Sequence, residues 1–159
     1  THPRSSAASD VYKRQLGIDI KYATPIGYEP DAEIVSRAVR MASDNGSSVL
    51  SSNDPVEVVS DAGVVYTDVF VSMGEESLDG KKGDFDGFQI NEELVSHADS
   101  DYLFMHCLPA HRGEEVTNGV IDSKNSVVFD QAENRMWAQM SLLTRMCNEA
   151  AWYTYNELY

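Results

Sequence analysis

YLFMHCLP, residues 102–109, is the stretch of the sequence that decides the fold. It is an apolar, strand-like run that carries one cysteine, Cys107, and then reaches Pro109. Proline has no backbone N–H to donate to a neighbouring strand, so the strand is expected to end near Leu108. A polar loop, AHRGEE at residues 110–115, follows at once. Open α/β sheets bind ligands at the carboxyl ends of their strands, so we expect Cys107 to lie at such an edge.

Strand-like and helix-like segments alternate along the rest of the chain. The strands are predicted at residues 16–23, 47–51, 64–69, 102–108 and 127–129, and the helices at residues 31–45, 54–62, 91–98 and from 133 onward. The run at 64–69 is apolar enough to predict burial on both faces. This order predicts an α/β fold with a doubly wound, mostly parallel sheet of about five strands. Helices should cover both faces of this Rossmann-like single domain.

The composition is that of a globular protein and excludes two classes of partner. The chain has 159 residues, of which 42% are hydrophobic, and a formal net charge of −14. Such a charge argues against nucleic acid as a partner, because few cations are available to neutralise phosphates. No apolar run approaches the roughly 20 residues that a membrane-spanning helix needs. Cys107 and Cys147 do not form a disulfide framework, which favours a reducing compartment.

Two unusual loops follow strands and are expected at the same edge of the sheet. Residues 72–88 are rich in glycine and charge and show no periodicity, which predicts a long loop after the strand at 64–69. Residues 110–115 form the second loop, after the strand that carries Cys107. Since the carboxyl ends of parallel strands meet at one edge, both loops should open there.

Asp68 is the first candidate for a binding residue. It is placed within the strand at 64–69, where a buried carboxylate needs a partner because its charge is costly to desolvate. One interpretation is a fixed anion that faces a cationic ligand. The other is an aspartate that accepts hydrogen bonds from the amides of its own loop. The following Ser72, Met73 and Gly74 supply a hydroxyl and backbone amides suited to an amino-acid head group.

Cys107 and the nearby histidines allow several kinds of chemistry. A single cysteine is more often a small core residue than a reactive group. His106 should point to the opposite side of the strand from Cys107, so the two make a poor catalytic pair. Metal binding is disfavoured because the candidate ligands lack a compact spacing; they are His97, His106, Cys107 and His111. No glycine-rich nucleotide-binding motif is present, which disfavours a nicotinamide-dependent dehydrogenase.

Arg135 is a candidate for binding an anion. It is expected in the first turn of the final helix, directly after the strand at 127–129. A cation there opposes the helix dipole unless an anion is bound, so a phosphate would explain it. The alternative is a surface salt bridge, which contributes little to stability.

Three ordered strings, TDVFVSMGEE, HCLPAHRGEEV and VFDQAENRMWAQ, resemble the carboxyl-terminal half of the ornithine carbamoyltransferases. YATPIGYEPD resembles the opening strand of the same domain, and the resemblance spans residues 16–146. It implies carbamoyl transfer from carbamoyl phosphate to the side-chain amine of L-ornithine, giving L-citrulline and phosphate. It also implies no metal, no organic cofactor and a homotrimer.

The resemblance also implies a role for each matching residue. The ornithine-binding residues would be Asp68, Ser72, Met73 and Cys107, with Asp68 and Ser72 at the α-amino end. Carbamoyl phosphate would be bound by Cys107, the carbonyl of Leu108, and Arg135. Cys107 and Asp68 would be the catalytic residues.

The sequence also departs from the family pattern. The S-T-R-T phosphate motif and the G-D-x-x-N stretch are absent from these residues. We therefore expect residues 16–147 to be an ornithine-binding domain that is inactive alone, with a non-native or disordered leader at 1–15 and an extension at 148–159. Met136, Met140 and Leu143 would then be exposed. The compartment would be the cytoplasm, or the mitochondrial matrix or plastid if a transit peptide precedes. A carbamoyltransferase for another amine, such as putrescine, and a non-catalytic binding module remain alternatives.

Overall fold

The computed structural model describes residues 17–71 and 83–147. The expected leader at 1–15 and extension at 148–159 lie outside these ranges, as does most of the expected loop at 72–88. The elements, in chain order, are β1 (Ile20–Ala23), α1 (Ala32–Asp44), β2 (Val49–Ser52), α2 (Pro55–Val59), β3 (Val64–Thr67), α3 (Glu92–Val95), β4 (Leu103–His106), α4 (Asn118–Ile121) and α5 (Val128–Cys147).

The strands pair in parallel, as the α/β pattern predicts. β1 pairs with β2, with Ile20 opposite Val49. β3 pairs with β4, with Thr67 opposite His106. The predicted fold class, with parallel strands and intervening helices, is confirmed. Among the described residues, however, the strands form two separate pairs and number four, where about five were expected in one sheet.

The predicted strand at 127–129 is wrong. Ser126 makes only an isolated parallel bridge with Phe104, and the Val127 N–H donates to the Phe104 carbonyl. The chain then turns at once into α5, because the Gln131 N–H donates to the Val127 carbonyl at 2.8 Å. A three-residue apolar run does not distinguish a strand from the buried start of a helix.

The helix starts follow the sequence signals closely. The Asp31 side chain accepts from the N–H groups of Glu33 and Ile34 and caps α1. The Asp54 side chain accepts from the Val56 N–H, and Pro55 occupies the first helical position of α2. In both helices a carboxylate satisfies amides that have no partner within the helix.

The core lies on one face of the β3–β4 pair. Val65 and Phe104 are buried there; the rest of the cluster is contributed by the helices and connecting segments, namely Val59, Ile90, Leu94, Tyr102, Val116, Val120, Ile121 and Val128. On the other face Val64 is 53% exposed and Tyr66 is 45% exposed. The predicted burial of this strand on both faces is therefore wrong.

None of the helices in the described ranges has the length and apolar content that a membrane span requires.

Candidate functional site at the ends of β3 and β4

The carboxyl ends of β3 and β4 bring a carboxylate and a thiol into contact. Thr67 and His106 are paired as the last residues of the two strands, so Asp68 and Cys107 leave the sheet side by side. The Cys107 thiol donates to Asp68 Oδ1 with an Sγ–Oδ1 distance of 2.9 Å. Residues 39 positions apart in the chain therefore meet at the edge where the sequence predicts a site.

Asp68 lies just after β3 and is exposed, not within a buried strand as predicted. The Val69 N–H donates to the same Oδ1 atom at 2.7 Å. Asp68 thus accepts from its own loop, as one interpretation of the sequence proposes, and from the thiol as well. Both hydrogen bonds found within the described ranges use Oδ1, which leaves Oδ2 for a further donor.

The surroundings of Cys107 keep its side chain protonated at neutral pH. Partial burial, followed by the hydrogen bond to Asp68 and the charge of that carboxylate, raises the pKa of Cys107 to about 11. Burial disfavours any charge on the sulfur, and the Asp68 carboxylate disfavours a second negative charge next to its own. In this arrangement the Cys107 thiol is a hydrogen-bond donor to Asp68.

Tyr66 is a site residue that the sequence analysis missed. Its hydroxyl is within hydrogen-bonding reach of Cys107 and of Gln131. Burial, and then the charge and hydrogen bonding of Cys107, raise the pKa of Tyr66 to about 12. The signal was present in the sequence, because Tyr66 precedes Asp68 by two residues and side chains two apart share one side of a strand.

His106 points into the core, on the opposite side of β4 from Cys107, as predicted. It is 1% exposed, and its Nε2 lies 3.0 Å from Glu115 Oε1, which is also fully buried. Its Nδ1 lies 2.9 Å from the Leu108 backbone nitrogen. Glu115 was not predicted as a site residue, because only the fold brings its carboxylate to His106 and to the His111 N–H.

The chain leaves β4 in an unusual backbone conformation. The strand ends at His106, and Leu108 adopts a φ of 52°, in the left-handed region that branched residues rarely occupy. The following Leu108–Pro109 peptide bond is cis.

Arg135 does not lie in the first turn of its helix. Since α5 starts at Val128, Arg135 lies about two turns inside it and is exposed. The prediction that Arg135 opposes the helix dipole in the first turn is therefore wrong. The error arose because residues 127–129 were assigned to a strand and not to the start of α5. Gln131, one turn earlier on the same side of α5, accepts from the His106 N–H at 3.0 Å. Arg135 thus follows a residue that is fixed to the end of β4.

The remaining predicted residues, Ser72 and Met73, lie outside the described residues. The structure therefore brings Asp68, Cys107 and Tyr66 together. Within the described ranges, no hydrogen bond joins Arg135 to this group.

A carboxylate and histidine cluster lies in the loop after β4. Ligand atoms of His111, Glu114 and Glu115 lie within 4.8 Å of one another. Glu115 Oε1 is already hydrogen bonded to His106 and to the His111 N–H. His111 and Glu114 are exposed, and exposed acidic groups commonly cluster without a metal. We assign no ion to this group.

The sequence is similar to one protein family and to curated members of that family. The family described as aspartate/ornithine carbamoyltransferase, Asp/Orn binding domain, matches residues 8–146. A curated relative from Thermoplasma acidophilum, named ornithine carbamoyltransferase, catabolic, is 56% identical over 132 residues, or 82% of this chain and 43% of the relative. A relative from Pyrococcus furiosus, named ornithine carbamoyltransferase, anabolic, is 55% identical over 130 residues, or 81% and 41%.

The folds agree as well as the sequences. The solved structure of ornithine carbamoyltransferase from Pyrococcus furiosus superposes with a TM-score of 0.82 at 51% identity, covering 87% of this chain and 45% of that one. The chain spans less than half the length of these relatives. The family match covers most of the chain, and the resemblance noted in the sequence is confirmed: the chain belongs to the aspartate/ornithine carbamoyltransferase family, in its Asp/Orn-binding domain.

Proposed function

We propose that this domain binds L-ornithine for carbamoyl transfer from carbamoyl phosphate, giving L-citrulline and phosphate. The observation that carries the proposal is the contact between Asp68 and Cys107 at the carboxyl edge of the β3–β4 pair. It provides one fixed anion beside a neutral hydrogen-bond donor. A ligand with a cationic amino group suits such an arrangement, because the carboxylate compensates its charge.

In this proposal Asp68 accepts the α-amino group of ornithine through Oδ2, while Oδ1 stays bonded to Val69 and Cys107. Ser72 and Met73 add the hydroxyl and backbone contacts to the head group. The side-chain amine then lies beside Cys107. Since the pKa of Cys107 is raised to about 11 and its one proton is donated to Asp68, the sulfur stays neutral beside the reacting groups. In this proposal the neutral amine of ornithine is the nucleophile.

The carbamoyl group is accepted on the other side of Cys107. The Leu108 carbonyl receives the carbamoyl nitrogen, and Arg135 supplies a cation for the phosphate. Attack of the neutral amine on the carbamoyl carbon forms the new N–C bond and breaks the bond between that carbon and the phosphate oxygen. The proton lost by the attacking nitrogen leaves on the departing phosphate. Holding two reactants at attack distance contributes roughly 7–11 kcal/mol to such a reaction. Orientation is therefore the main contribution of these side chains.

The whole protein is proposed to be a homotrimer that uses no metal or organic cofactor, in the cytoplasm or in an organelle matrix. Residues 16–147 form the ornithine-binding domain. Because the S-T-R-T motif is absent from these residues, we expect the purified chain alone to form no citrulline from ornithine and carbamoyl phosphate. Citrulline production by the chain alone would contradict this part of the proposal.

The test of the binding role is an NMR titration of the chain with L-ornithine, followed at the backbone amides of Asp68 and Cys107. Asp68→Asn should weaken binding about 10-fold to 150-fold, because a hydrogen bond to a charged group contributes roughly 1.5–3 kcal/mol. Asp101→Asn is the matched control. This substitution removes the same charge from an exposed aspartate that precedes β4, at the end of the strand away from the site.

Two further ligands separate the alternatives. Putrescine has both amines but no α-carboxylate, so binding equal to that of ornithine would favour a different amine substrate. Norvaline has the α-amino and carboxylate groups but no side-chain amine, and it should still perturb Asp68. Equal affinity of the Asp68→Asn and Asp101→Asn variants for ornithine would contradict the assigned role of Asp68.

A further inference from the structure

The buried pair formed by His106 and Glu115 has no part in the proposed reaction, yet it is costly to maintain. Both side chains are essentially inaccessible, at 1% and 0% exposure. A carboxylate taken out of water is unfavourable unless it is well hydrogen bonded, and an apolar pair often stabilises a fold better. Stability of the fold alone therefore does not explain why this position holds a histidine and a glutamate.

The directions of the hydrogen bonds fix the tautomer of His106. The Leu108 backbone nitrogen is a donor only, so His106 Nδ1, 2.9 Å away, must accept. The proton of the neutral imidazole then lies on Nε2, which donates to Glu115 Oε1 at 3.0 Å. The same Oε1 accepts from the His111 N–H at 2.6 Å.

These bonds form a continuous chain beneath the site. It runs from the Leu108 N–H through the imidazole to the Glu115 carboxylate and on to the His111 N–H. Cys107 lies between the two residues at its start, and its thiol contacts Asp68 on the opposite side of the strand. Hydrogen bonds from the core therefore fix the backbone on both sides of Pro109, at Leu108 and at His111.

Leu108 needs such support. Its φ of 52° is unfavourable for a residue with a side chain and persists only where the surroundings enforce it. The lone pair of His106 Nδ1 provides a fixed acceptor for the Leu108 N–H in this conformation.

We propose that His106 and Glu115 are positioning residues that hold the Cys107–Leu108 backbone in its ligand-accepting conformation. That the ligand is the carbamoyl group rests on the proposed function. The restraint on the backbone does not, and the two are tested separately.

The test is amide hydrogen exchange of the Leu108 N–H, measured by NMR on the whole chain. Asn and Gln each replace one of the two ring nitrogens of His106: Asn replaces the acceptor Nδ1, and Gln replaces the donor Nε2. In His106→Asn the amide oxygen replaces Nδ1 and keeps the acceptor for Leu108. In His106→Gln the longer side chain keeps a donor for Glu115 but removes that acceptor. We expect Leu108 exchange about tenfold faster in His106→Gln than in His106→Asn.

The Phe104 N–H is the internal control, because it donates to the Asn125 carbonyl in the core and reports any general loss of stability. In each variant the exchange rate of the Leu108 N–H is divided by the exchange rate of the Phe104 N–H. Equal normalised rates in the two variants would overturn the proposal. The Glu115→Gln variant retains an oxygen for both donors, so it should keep the His111 N–H protected, whereas Glu115→Ala should expose it.

A measurement on the unchanged chain remains if these variants do not fold. Long-range proton–nitrogen NMR of His106 should show a neutral ring with the proton on Nε2. A proton on Nδ1 would overturn the proposal, because Leu108 would then have no acceptor. If the exchange results hold and carbamoyl phosphate still has no effect on Leu108 when the partner half of the enzyme is supplied, the restraint stands and the proposed function fails.

Discussion

At the scale of single residues, the site depends on one carboxylate oxygen that serves two donors. Asp68 Oδ1 accepts from the backbone of its own loop and from the thiol of the neighbouring strand. The loop after β3 and the end of β4 are thereby tied to one atom. The state of the thiol consequently depends on a residue that follows a different strand.

This dependence gives a prediction for the reactivity of Cys107. With a pKa of about 11, roughly one molecule in a thousand carries the thiolate at pH 8, so alkylation by iodoacetamide should be slow. The rate should rise with pH towards 11 as the proton is lost. Asp68→Asn should move this profile to lower pH, because it removes a hydrogen bond and a charge that both raise the pKa of Cys107.

Mass spectrometry of the alkylated peptides measures the two cysteines separately. The exposed Cys147 serves as the internal reference for the reagent. Asp101→Asn should leave the Cys107 profile unchanged. Rapid labelling of Cys107 at pH 7, or the same profile in both variants, would contradict the account of this thiol.

At the scale of the elements, the starts of α1 and α2 were predictable from the sequence, whereas the start of α5 was not. Asp31, Asp54 and Pro55 carry local signals whose meaning depends on only a few following residues, and the structure confirms them. The segment at 127–129 was not predictable in this way. Its conformation depends on a contact with Phe104, which is distant in the chain. That single error also displaced Arg135 from its expected helical turn.

The cap of α1 gives a second prediction. Asp31→Ala removes the acceptor for two backbone N–H groups, at 2.8 Å from Glu33 and 3.3 Å from Ile34. We expect the free energy of unfolding to fall by about 1 kcal/mol. Urea denaturation followed by circular dichroism measures the change.

Asp44→Ala is the matched control for this helix. It removes the same charge from the last residue of α1, where a negative charge opposes the helix dipole. The variant should be neutral or slightly stabilising. Equal destabilisation by both substitutions would show that the loss of charge, and not of the cap, determines the effect.

At the scale of the whole molecule, apolar side chains remain exposed along α5. Met136, Met140 and Leu143 are 47%, 51% and 59% exposed, as the sequence analysis predicted. The exposed face of β3 adds Val64 and Tyr66. Exposed apolar area of this extent is typical of surfaces that contact another protein segment.

We therefore expect this surface to bind hydrophobic dyes and to promote self-association. The double variant Met140→Gln and Leu143→Gln should reduce dye fluorescence and the fraction of oligomer in sedimentation. The free energy of unfolding should change by less than about 0.5 kcal/mol, since these side chains contribute little to the described core. A loss of several kcal/mol would show that α5 packs more tightly than its exposure indicates.

The sequence predicted the overall class and the edge of the sheet better than it predicted burial. Alternation along β4 separates His106 from Cys107, and this was readable from a period of two residues. The exposure of Val64 was not, because an apolar run has the same appearance whether one face or both are covered. The role of Glu115 depends on one backbone donor and one imidazole that only the folded chain brings together.

The opposite directions of His106 and Cys107 make β4 sensitive to its register. Deleting a single residue within the strand would exchange its two sides, sending the sulfur inward against a buried carboxylate and the imidazole out to solvent. Both sets of contacts would be lost together, although each residue type would still be present. The chemistry of this edge thus depends on the number of residues in β4 as well as on their side chains.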